Sequence, residues 1–157
     1  MAPDRDTPGV IAPPPLLFLG MLGVALAIER FVRRVPTGVP RMARLGVAVV
    51  LLVAAIVLLA GALRRFRVAR TNPEPWKPAT TVVADGVYRY TRNPMYLGMT
   101  LAYHALALAT DSGVALLLVP ALLAVVQVGV IAREERYLEA KFGDDYRRYR
   151  ASVRRWL

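Results

Sequence analysis

Residues 45–63 contain only apolar side chains and glycine, a run about as long as the ~20 residues a helix needs to cross the hydrocarbon of a bilayer. A helix apolar on every side suits lipid better than the interior of a small soluble domain. Three further stretches lack charge at nearly that length: residues 10–28, 94–110 and 113–132. The first opens on Pro13, Pro14 and Pro15, where its helix should start. The third carries His104, and the fourth carries Pro120, which should kink it. Only Asp111 and Ser112 separate the third from the fourth, so these two should pair as a tight hairpin. The expected fold is all-α, a multi-pass transmembrane protein of four spans forming one membrane domain. Its N-terminal spans occupy residues 10–70 and its functional half residues 80–157.

The 157 residues are 56% hydrophobic yet carry a net charge of +10, which is possible because the charges lie between the apolar runs. Four crossings place the N-terminus, residues 64–93 and the tail on one side with 16 of the 21 basic residues, and leave five in residues 30–44 on the other. The more basic side should be cytoplasmic, which puts the functional half on the cytoplasmic face of the cell's inner membrane. Asp4 and Asp6 stand where a cleaved signal peptide would be basic, so the start does not read as one. Without cysteine there is no disulfide or thiolate metal site, and lone His104 has no histidine companion, so no metal is expected. Basic residues spread beside membrane spans argue against nucleic acid as a partner and for the lipid bilayer.

Two polar segments could carry chemistry. In the first, Asp85-Gly86 marks a turn, and Asn93-Pro94 reads as a helix start with Asn93 at the N-cap and Pro94 at the first helical position. Exposed amides there, with Arg92 alongside, would form an anion site, or else an ordinary cap with a lipid-facing arginine. In the second, Glu134 and Glu135 have no basic partner three or four residues away. They are either solvated at the interface or served by another segment or a cationic ligand. Successive helical residues point about 100° apart, so one glutamate could face a ligand while the other reaches Arg89 or Arg92. The tail 142–156 reads as a basic amphipathic helix on the cytoplasmic surface, with Tyr146, Tyr149 and Val153 on one face and Asp144 as its cap.

The run from Gly86 through Tyr88, Arg92, Asn93, Pro94 and Tyr96 to Gly98 resembles the G-x-Y-x-x-x-R-H-P-x-Y-x-G signature of the isoprenylcysteine carboxyl methyltransferase and phospholipid methyltransferase superfamily. Glu134-Glu135, followed by Tyr137, Phe142-Gly143, Tyr146, Tyr149 and Val153, is similar to that superfamily's E-E…F-G-x-x-Y-x-x-Y…V ending. The likeness covers about residues 80–156. It implies methyl transfer from S-adenosylmethionine to a hydrophobic or lipid-like acceptor that enters sideways from the bilayer. It also implies a cofactor-binding site with Tyr88, Arg92, Asn93, Pro94, Tyr96 and Gly98 on one wall and Glu134, Glu135, Tyr146 and Tyr149 on the other. The helix start and Arg92 would suit the cofactor's carboxylate, a glutamate its ammonium or ribose, and aromatic faces its adenine or sulfonium. Asn93 replaces the family's usual histidine. It can hydrogen-bond but cannot titrate near neutrality, so it should bind rather than act as a base. No catalytic base is identified; His104, about 15 Å along the third helix, reads as a packing residue or a pore-facing donor. Two rival readings are an NADPH-dependent membrane reductase of related architecture and a non-catalytic membrane protein whose motifs are caps and anchors.

Overall fold

A computed structural model describes residues 6–157; Asp4 of the sequence reading lies outside them. Every regular element among the described residues is helical. Helix α1, Pro14–Phe31, starts within the proline run, because a missing N–H costs nothing in a first turn. Helix α2, Arg41–Val68, has 28 residues, about 42 Å at the helical rise. After a loop and a short 3₁₀ turn, Gly86–Arg89, helix α3 spans Pro94–Ala109. The fourth apolar stretch is not one kinked helix. It breaks at Leu118 into α4, Gly113–Leu117, and α5, Val119–Val126, with Pro120 in the first turn of α5. A π-helical turn, Gln127–Ile131, then leads into α6, Ala132–Phe142, and Gly143 separates this from α7, Asp144–Ser152.

The cap expected of Asp144 is not made. Gly143 holds the N-cap of α7 at φ +50°, a left-handed angle that favours a residue without Cβ. Asp144 falls inside the first turn, paired with Arg147 at 2.7 Å.

Two helices, α1 and α2, are long and apolar enough to cross a membrane. At 16 residues α3 is shorter, and the fourth stretch is interrupted. The surface of α2 has the arrangement lipid favours: Val50, Ile56 and Val57 face outward, while the residues it buries are Ala48, Ala55 and Ala62. These alanines recur every seventh residue, so they form one seam, and small side chains there let α3 approach closely. Gly98 of α3 belongs to that seam, since an added Cβ would stand 2.9 Å from Leu59 Cγ and 3.3 Å from the Ala55 carbonyl oxygen. The remaining core joins Phe18 and Leu22 of α1 to Tyr103 of α3 and to Leu122, Val126, Val130 and Ile131.

The helices alternate between two polar ends. At one, the α1–α2 connection is tied to the expected α3–α4 hairpin. Asp111 accepts hydrogen bonds from the Thr37 amide at 3.1 Å and hydroxyl at 2.7 Å, with Arg34 and Arg44 at 3.7 and 3.6 Å. The Gly113 amide donates to the Val35 carbonyl at 2.7 Å, and the Val114 amide to Glu29 at 3.1 Å. At the other end gather the N-terminal segment, the chain between α2 and α3, and helices α6 and α7.

Candidate active site

A cavity of about 850 Å³, counting its mouth open to solvent, lies at this second end. Of the ten residues expected at the site, Tyr88, Arg92, Asn93, Tyr96, Glu134, Glu135, Tyr146 and Tyr149 line it. Pro94 and Gly98 do not: Pro94 is buried at the start of α3, and Gly98 faces α2.

The two glutamates differ. Glu135 is buried and receives a two-pronged contact from the tail, Arg155 Nε at 3.0 Å and Nη2 at 2.5 Å. Arg92 Nη1 lies 3.3 Å from the same carboxylate, whereas Arg89 is exposed and pairs with Asp85 at 3.5 Å. Glu134 has a single partner among the described residues, the Tyr96 hydroxyl, which donates at 2.6 Å. Burial pushes the Glu134 carboxyl up to about 7; the Tyr96 hydrogen bond opposes this and the neighbouring Glu135 charge adds to it. Sequence spacing correctly leaves both without partners on their own helix; the partners come from α3 and the tail.

Arg92 is nearly enclosed, and its Nε and Nη1 make no hydrogen bond among the described residues. A guanidinium cannot shed its charge, so such N–H groups need an acceptor. The main chain beside it is already engaged. The Arg92 amide donates to the Arg154 carbonyl at 2.9 Å, and the Asn93 amide to Thr91 Oγ1 at 3.2 Å. Asn93 occupies the N-cap position, but its Nδ2 donates to the Arg155 carbonyl at 2.9 Å instead of its side chain capping the helix. The amides of Arg92 and Asn93, just ahead of the helix, are thus engaged, and the Arg92 side chain keeps N–H groups for an anion.

Three tyrosines complete the wall. Tyr146 and Tyr149 meet edge-on at 6.3 Å, the Tyr149 hydroxyl donates to the Tyr88 carbonyl at 2.8 Å, and Tyr88 packs edge-on against Phe66 at 5.7 Å. Burial raises the pKa of all three phenols, so they stay neutral. His104 sits away from the cavity with Nδ1 2.7 Å from the Thr100 carbonyl oxygen of its own helix, in keeping with a packing role.

Sequence reasoning missed Arg155 and the mouth. Asn72, Pro73, Glu74 and Lys77, from the proline-rich loop after α2, line the opening. Tyr137 gathers that loop and the N-terminal segment: the Ala79 amide donates to its hydroxyl at 3.1 Å, and the hydroxyl donates to Asp6 at 2.8 Å. The loop's prolines are visible in the sequence, but nothing local ties them to Tyr137.

The family described as phospholipid methyltransferase matches residues 42–145 of this chain. A protein of Haemophilus influenzae, described as uncharacterized, is 49% identical over 63 residues, which make up 40% of this chain and the whole of that relative. No solved structure matches.

Proposed function

Because the chain belongs to the phospholipid methyltransferase family, which makes it a membrane methyltransferase, we propose that it transfers a methyl group from S-adenosylmethionine to a hydrophobic, lipid-like acceptor at the cytoplasmic face. The observation that carries this reading is the pairing, in one cavity, of an enclosed arginine with unused N–H groups and a carboxylate held by a single phenol. Those are complements for the two charges of an amino-acid group. Arg92 would hold the cofactor's carboxylate and Glu134 its ammonium, while Tyr88, Tyr146 and Tyr149 would offer aromatic faces to its adenine or sulfonium. When bound, the cofactor supplies an electrophilic methyl group on sulfur. The chain's own contribution is positional. It aligns the acceptor and keeps water from the reacting groups, and the apolar residues Phe66, Val82, Val83 and Met95 serve the latter end.

Calorimetry and thermal unfolding of the detergent-purified protein test this. S-adenosylhomocysteine should bind and raise the melting temperature, by about 2.7 kcal/mol of stabilisation at a hundred-fold excess over its Kd. NADPH should do neither. Folded protein that ignores S-adenosylhomocysteine, or that prefers NADPH, rejects the proposal.

A further inference from the structure

The C-terminal segment is built into the cavity wall at every residue of the Thr91–Asn93 stretch. Thr91 Oγ1 donates to the Arg155 carbonyl at 3.1 Å, the Arg92 amide to the Arg154 carbonyl at 2.9 Å, and Asn93 Nδ2 to the Arg155 carbonyl at 2.9 Å. Trp156 packs on the hydrophobic core just beyond. The guanidinium of Arg155 then turns inward to take both oxygens of Glu135. Glu135 also lies beside Arg92, but that contact, at 3.3 Å, is not a hydrogen bond and leaves Arg92 Nε and Nη1 unused.

One buried carboxylate thus stands between two guanidiniums and engages one of them fully. Two-pronged arginine–carboxylate pairs are the stronger, geometrically specific kind. Were Arg155 absent, Glu135 would be a buried anion whose nearest cation is Arg92, and leaving it unpaired would be costly. It would draw Arg92 into a pair of its own and cancel the charge that faces the cavity.

We infer that Arg155 is a positioning residue: by occupying Glu135 it keeps the Arg92 guanidinium free to bind the anionic end of the ligand. The inference rests on the cofactor reading above. It assigns to the tail a role in the site that is distinct from anchoring on the membrane surface.

The test compares two ligands. S-adenosylhomocysteine carries the amino-acid carboxylate, whereas 5′-methylthioadenosine has the adenosine part without it. Arg155→Gln should weaken S-adenosylhomocysteine by about ten-fold or more, the worth of a charge-assisted hydrogen bond. It should leave 5′-methylthioadenosine within about two-fold of wild type. Adding Glu135→Gln to Arg155→Gln should restore most of the lost affinity, because the competing anion is gone. Should Arg155→Gln fail to fold, Arg155→Lys carries the test, with a smaller loss confined to S-adenosylhomocysteine. The inference is overturned if the Arg155 variants bind S-adenosylhomocysteine as wild type does, or lose both ligands equally. It is also overturned if the double variant is no better than Arg155→Gln. Wild-type protein that binds neither ligand removes the cofactor reading, and this inference with it.

Discussion

Glu134 carries the clearest consequence at the scale of a single residue. Its carboxyl is raised to about 7 in the folded protein against 4.5 ordinarily, so from about pH 4.5 to 7 the native state holds a proton that the unfolded chain has released. Stability from this group is fully present below pH 4.5 and is lost as pH rises through about 7. Ligand binding should run the other way. An ammonium placed against Glu134 favours the carboxylate, so the affinity of S-adenosylhomocysteine should fall as pH drops below about 7, approaching ten-fold per unit. Calorimetry at pH 6, 7 and 8 checks this, with Glu134→Gln expected to bind more weakly and without that pH dependence; a flat wild-type profile would place the ammonium elsewhere. The sequence pointed to both glutamates by what their helix lacks. It could not separate them, because Tyr96 is 38 positions from Glu134, and Arg155 is 20 from Glu135. Pairings at such distances are set by packing.

At the scale of elements, the seam between α2 and α3 decides what Gly98 does. Resemblance places it in the cofactor wall, but its missing side chain makes room for Leu59 and the Ala55 carbonyl. Gly98→Val should therefore cost about 1–3 kcal/mol of stability, as overpacking typically does, since the branched side chain must push the helices apart. Gly98→Ala should cost less, because Leu59 is a side chain that can shift. Folded Gly98→Ala should keep its affinity for S-adenosylhomocysteine; stability followed by thermal unfolding, beside calorimetry, separates the two roles, and normal stability with lost affinity would return Gly98 to the wall. Helix starts were the legible part of the elements. Pro14 and Pro94 fix φ and lack a donor, so each marks a beginning that the fold keeps. The interruption of the fourth stretch was legible at Pro120 but not at Gln127–Ile131, where a π-helical turn occurs in an unremarkable apolar run. A change in hydrogen-bond register leaves no compositional mark.

At the scale of the molecule, the two polar ends bear on how the chain lies in a membrane. The connection between α1 and α2 is bonded to the α3–α4 turn, whereas the loop before α3 and the tail are bonded to each other around the cavity. Elements that alternate between two ends in this way are what four crossings would produce, although only α1 and α2 meet the length and apolarity of a span by themselves. Residues 30–44 carry five arginines. Two of them, Arg34 and Arg44, flank Asp111. Basic residues counted alone, 16 on the side of the loop before α3 and the tail against five on the other, would place the cavity end in the cytoplasm. The chain has no cysteine, so single cysteines can be introduced as reporters. Ala84 and Ser152 are exposed beside the cavity end, and Val39 is exposed at the other. In intact cells, an impermeant thiol reagent added outside should modify Val39→Cys and spare Ala84→Cys and Ser152→Cys, which should react after the membrane is opened. Outside labelling of Ala84→Cys and Ser152→Cys with protection of Val39→Cys would invert the molecule. Labelling of just one of the pair would break the four-crossing arrangement, because the loop before α3 and the tail must share a face for the cavity between them to exist.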